Sequence, residues 1–197
     1  MSDNIIYHAV VARPGSKMTS DNLANPAPLG ILGFGLATTL LSVHNLGFYG
    51  MDSTILAVAV FMGGIAQMIA GVIEFKRNSM FTATVFSFFG LFWMTFAFVN
   101  LGAFGETDAT SLATLFLAFL ILTAVLFICS LKHDRVFKFT FFMLTVTLLA
   151  LTAGAFTEEE ILTRIGGGTG LITGISALYM ACAHLLNDQY QKPMLPL

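Results

Sequence analysis

Charge is the scarcest resource in this 197-residue sequence: Asp, Glu, Lys and Arg together make up 10% of it, against roughly a quarter in an average soluble domain. So few charges cannot wet the surface of a protein this size, and a membrane class follows before any motif is read. Basic charge is especially thin. A net charge of −2 argues against nucleic acid as a partner, because phosphate binding needs a clustered basic face. Only two cysteines occur, and Cys129 and Cys182 both fall inside apolar stretches, where a thiol packs as a small hydrophobe rather than forming a disulfide or holding metal. One Trp and four Tyr beside 20 Phe give a sparse interfacial belt and send most aromatic surface into lipid or helix packing. Residues 1–24 contain no apolar run of signal-peptide length and read as a tail.

Chemistry-bearing motifs are missing too. His8, His44, His133 and His184 are never spaced as metal ligands, and no Walker loop, catalytic triad or dinucleotide fingerprint occurs. The sequence therefore points to no enzyme, no cofactor and no metal.

What is present is hydrophobic length. A bilayer core needs about 20 apolar residues per helix, and six stretches meet that requirement: Leu29–Leu46, Ile55–Ile73, Met80–Leu101, Leu112–Leu131, Val136–Phe156 and Ile165–Leu186. The expected fold is an all-α membrane protein of six transmembrane helices over 25–187, flanked by tails at 1–24 and 188–197. Lys and Arg assigned to alternating sides fall eight to one. Arg13, Lys17, Lys76, Arg77, Lys132, Arg135, Lys138 and Lys192 share one side and Arg164 stands on the other, which places both termini in the cytoplasm by the positive-inside rule.

Inside the spans the informative groups are polar or very small. Asn25-Pro26-Ala27-Pro28-Leu29-Gly30 has the makings of a helix start, with Asn as N-cap and Pro in the first turn. A helix N-terminus also attracts anions, although Pro26 and Pro28 each remove a donor. Gly166, Gly170 and Gly174, continued by Ala177 and Ala181, recur at helical spacing in the sixth span, as do Gly63, Gly64 and Gly71 in the second; in lipid, such stripes mark close helix interfaces. Gln67 sits in the middle of the second span and Thr38 in the first, each needing a neighbour or water. Threonine can bond its own helix carbonyls. Gln67 does so less easily, leaving it a helix cross-link or a pore-lining group. No Asp, Glu, Lys or Arg lies at a span centre, so an anion passing here would meet hydroxyls, amides and aromatic edges, and travelling with a proton would lower its desolvation cost. The titratable groups nearest the membrane are His44, Glu74 and His184 at span ends.

The stretch Asn25 to Gly30 resembles the NPAPLG signature of the acetate/succinate permease family. The resemblance runs from about Leu23 to Pro196 and takes in Gly63-Gly64-Ile65-Ala66-Gln67, Ser87-Phe88-Phe89-Gly90-Leu91-Phe92-Trp93 and Phe141-Phe142-Met143-Leu144-Thr145. It implies a six-helix protomer with a pore down its own centre, assembled as a homo-hexamer in the inner or plasma membrane, and transport of acetate and succinate, usually linked to protons. It implies a hydrophobic constriction at Phe34, Phe89 and Leu144, with Asn25, Pro26, Ala27, Pro28, Thr38, Gln67 and Ala177 as candidates along the substrate path. The aromatic at Phe89 is commonly Tyr in that family, so one hydroxyl is missing here. The alternatives are a channel for urea, amides or similar neutral solutes, and a non-transporting membrane scaffold.

Overall fold

A computed structural model describes residues 23–197, and the first 22, with most of the expected N-terminal tail, lie outside the described residues. Among the described residues six helices are long and apolar enough to cross a membrane: α1 Ala27–Asn45, α2 Ser53–Lys76, α3 Met80–Asn100, α4 Ala109–Ser130, α5 Arg135–Thr157 and α6 Glu160–Tyr190. They coincide with the six expected spans to within a few residues, save at α6. Its 31 residues rise about 46 Å at 1.5 Å each, well beyond a hydrocarbon core of about 30 Å.

The charges between spans act as helix starts. The Asp52 side chain accepts hydrogen bonds from the amides of Thr54 and Ile55 at 2.9 and 3.0 Å, Asp108 from Ser111 at 3.0 Å and Asp134 from Phe137 at 2.8 Å. Each satisfies an amide that the first turn leaves unpaired and places negative charge at the positive end of a helix dipole. The first span departs from expectation here. Its N-cap by backbone conformation is Pro26, which has no side-chain donor or acceptor, while Asn25, one residue earlier, accepts from the amide of Ala27 at 3.0 Å, the same two-residue spacing as Asp52 and Thr54.

The helices close into a ring in chain order, α6 returning to α1, with the seams built in two different ways. Between α1 and α6 the backbones touch: a Cβ added at Gly174 would lie 2.9 Å from the Thr39 amide nitrogen, and one at Gly35 would lie 2.9 Å from the Leu178 side chain. The glycine stripe of the sixth span is thus an interface within the protomer, as expected of small residues in lipid. Between α3 and α4 the backbones barely meet. Large rings fill the interval instead, Phe92 lying 4.7 Å from Phe119 and 6.3 Å from Phe116, and Phe89 5.8 Å from Phe119.

The second span is not uniformly α-helical, since residues Ala59–Ala66 form a π-helix. Within it Gly63 packs against both α3 and α1, since an added Cβ would come within 2.6 Å of Trp93 Cγ and 2.9 Å of Ala37 Cβ. Outward faces are apolar, with Phe61, Ile121 and Ile128 each at least 60% exposed. Cys129 and Cys182 are free and exposed rather than packed in the interior. Past the sixth helix the chain is not a loose tail. The helix runs on to Tyr190, and residues beyond it fold back, with Pro196 O accepting from the Tyr179 hydroxyl and Leu195 O from Asn187, each at 2.8 Å.

Candidate functional site

Three cavities lie in series along the ring axis. The largest, about 300 Å³, is bounded by the later halves of α1, α3 and α5 and the first turns of α4 and α6. Because those helices alternate in direction, this cavity belongs to one end of the bundle, here called the distal end. A chamber of about 30 Å³ follows, and then a cavity of about 260 Å³ at the end where Asn25 and His184 lie, the terminal end.

The boundaries are apolar collars. Phe34, Phe89 and Leu144 line both the distal cavity and the middle chamber, so they stand between the two. Phe34 meets Phe89 edge to face at a centroid distance of 5.7 Å, while Phe89 and Leu144 are buried. Ile31, Phe86 and Phe137 line both the middle chamber and the terminal cavity, forming a second collar. Sequence reading did not find this second ring; three apolar residues on three helices carry no local signal. An apolar collar bars hydrated ions and free water flow while offering a surface to methyl or methylene groups.

Polar groups sit around these collars. Thr38, buried in the distal cavity wall, has a hydroxyl with no hydrogen-bond partner among the described residues, as does the Trp93 indole nitrogen in the same wall. Ser42, Asn45, Asn100, Thr147 and Thr163 complete a ladder of hydroxyls and amides on that side. Gln67 is 1% exposed and lines the middle chamber, its side-chain oxygen likewise unpartnered among the described residues. Thr145 and Thr173 are self-satisfied on their own helices, donating to Phe141 O and Thr169 O at 2.8 and 2.9 Å, whereas the hydroxyls of Thr39, Thr123 and Thr152, outside the three cavity walls, also lack a partner among the described residues.

Two of the remaining candidates keep a place on this axis and three do not. Asn25 and Ala27 line the terminal cavity. Pro26 and Pro28 line none of the three cavities; they shape the first turn of α1. Ala177 is wholly buried in the helix packing and is absent from all three walls, so it belongs with the small residues that let α6 approach its neighbours. The terminal cavity also gathers residues that the sequence showed only as scattered span ends: Glu74, Arg77, His133, Asp134 and His184. Among the described residues no group of three His, Cys, Asp or Glu could hold a metal ion.

Residues 10–196 match the model of the GPR1/FUN34/yaaH family. The chain belongs to this family. Within it, the chain is 40% identical over 184 residues to the succinate-acetate/proton symporter SatP of Escherichia coli strain K12, covering 91% of this chain and 98% of that protein. It is 36% identical over 177 residues to ammonia transport outward protein 2 of Saccharomyces cerevisiae, covering 84% of this chain and 63% of that one. Among solved structures, that of the bacterial acetate channel SatP superimposes with a TM-score of 0.86 at 40% identity, covering 89% of this chain and 99% of that chain. This GPR1/FUN34/yaaH protein is a multi-pass membrane protein whose relatives include a symporter and an acetate channel.

Proposed function

We propose that the protein is a pore for small carboxylates such as acetate and succinate, entered from either end and narrowed by the Phe34, Phe89 and Leu144 collar. The observation that carries this reading is the series of cavities of about 300, 30 and 260 Å³ separated by apolar collars, in a chain 40% identical to a succinate-acetate/proton symporter. Neither the distal cavity nor the middle chamber is lined by Asp, Glu, Lys or Arg. The carboxylate is met instead by the Thr38 hydroxyl and neighbouring amides in the distal cavity and by Gln67 beyond the collar, while its carbon skeleton crosses the ring. Neutral hydrogen-bonding walls hold an anion weakly enough to release it, which conduction requires.

The protomer is read as one of six in a homo-hexamer of the inner or plasma membrane, with its termini in the cytoplasm. The one-sided Lys and Arg distribution supports that orientation. The exposed apolar flank of α4, at Ile121, Val125 and Ile128, is available to lipid or to neighbouring protomers. The chemistry is transfer rather than catalysis.

Liposomes containing the purified protein should take up labelled acetate and succinate faster than empty vesicles, and each acid should compete with the other. Uptake equal to empty vesicles for both acids overturns the reading. Competition by urea but not by succinate would transfer it to the neutral-solute class.

A further inference from the structure

We propose that Glu74 is the proton-exchanging carboxylate of this pore, loaded in the terminal cavity; the inference rests on the carboxylate-pore reading and assigns its proton site. Glu74 is 4% exposed in the last turns of α2, two turns or about 10.5 Å along the helix from Gln67, which lines the middle chamber. Its carboxylate accepts no hydrogen bond among the described residues. Its one ion-pair partner among them is Arg77, Nε to Oε2 at 3.9 Å, and the Arg77 Nη1 is itself drawn to the carbonyl of Leu23 at 2.7 Å. A carboxylate placed this way is neither locked by donors nor free in water.

Its surroundings supply a route for protons. Around the same cavity, α6 contributes His184, the α4–α5 turn contributes His133 and Asp134, and α1 contributes Asn25 and Ala27, which carry no charge. Asp134 is engaged in capping α5. His133 stacks on Phe137 at 4.6 Å with an interplanar angle of 21°, and Phe137 belongs to the second collar, so a histidine stands directly on the ring that leads inward. Past that ring, Asp, Glu, Lys and Arg disappear from the cavity walls. Of the two charged residues that α2 and the turn after it bring to the terminal cavity, Glu74 and Arg77, Glu74 is the nearer along the chain to Gln67 of the middle chamber. A proton taken at its carboxylate, delivered through water or His184, neutralises the last negative charge ahead of an entering acid. Its departure restores that charge once the acid has left.

The test uses the full chain in liposomes, with labelled succinate and a trapped pH-sensitive dye read in parallel. Glu74→Gln should lower internal acidification per succinate taken up, and with it proton-driven accumulation, by tenfold or more. Glu74→Asp should restore part of both. Accumulation and acidification by Glu74→Gln at the parent level overturn the proposal. Should Glu74→Gln fail to fold, Glu74→Asp decides: acidification per succinate taken up should fall below the parent value, and an unchanged ratio overturns the proposal. A parent protein that moves no succinate would instead refute the carboxylate-pore reading itself.

Discussion

Replacing Phe34 by alanine distinguishes a pore collar from ordinary helix packing. Removing a fully buried phenylalanine costs about 3–5 kcal/mol, because lost contacts leave a cavity the structure cannot close. Phe34 is only half-buried and borders open space on both sides, so fewer contacts are forfeited. Part of the loss is its edge-to-face pair with Phe89 at 5.7 Å, and such pairs contribute about 0.5–1.5 kcal/mol. The expected destabilisation is therefore about 1–3 kcal/mol, below the buried-core range. The distal cavity and the middle chamber would merge, and discrimination against extra methylenes, about 1–3 kcal/mol each in a close-fitting apolar site, would fall. Flux of butyrate relative to acetate should rise about tenfold, equivalent to about 1.4 kcal/mol. Proteoliposome uptake, corrected for protein-free vesicles, gives the ratio, and detergent-induced unfolding followed by the fluorescence of Trp93 gives the stability. A loss of about 3–5 kcal/mol with an unchanged flux ratio would refute the reasoning and return Phe34 to the core.

Thr38→Val keeps the shape and removes an unpartnered hydroxyl. It should weaken apparent acetate affinity about tenfold, since a hydrogen bond to a charged group contributes about 1.5–3 kcal/mol, and should leave the unfolding midpoint unlowered; transport titrations and unfolding curves check both. Gly63→Ala would force a Cβ to within 2.6 Å of Trp93 Cγ. Overpacking of this kind costs about 1–3 kcal/mol, and a shift in Trp93 emission should accompany it. Tyr49, between α1 and α2, has its phenol held above its ordinary value, first by burial and then by the charge of Asp52. A pKa raised in the folded state gives stability that is present below the unfolded value of 10.0 and fades as pH rises through the folded one. An ultraviolet titration should therefore show a late-ionising tyrosine that is lost in Tyr49→Phe.

Much of the fold was legible because hydrocarbon imposes a simple rule: twenty apolar residues span it, and charges mark the gaps. Asp52, Asp108 and Asp134 stand in those gaps because charge is costly in hydrocarbon, and there they pair the first-turn amides of α2, α4 and α5. The glycine stripe of α6 was equally readable. The π-helical segment Ala59–Ala66 was not, because Gly63 and Gly64 are compatible with any tight packing and nothing in the apolar pattern marks a wider turn. The axis of cavities was partly readable. Phe34, Phe89 and Leu144 could be named through a family resemblance, and Thr38 and Gln67 because a polar group in lipid needs a reason. Ala177, by contrast, shares its residue type and spacing with packing alanines, and burial alone separates the roles. The terminal cavity escaped because Glu74, His133 and His184 stand on separate elements, each ordinary for the end of a span.

The two kinds of seam have a mechanical consequence. Where α1 meets α6 through glycine, any widening must carry whole backbones apart and break many contacts at once, so that flank is stiff. Where α3 faces α4 across Phe89, Phe92, Phe116 and Phe119, width is set by the torsions of four side chains, and rings can turn while the helices stay in place. A passing molecule would therefore be accommodated asymmetrically, with one wall serving as an anvil and the opposite wall yielding around it.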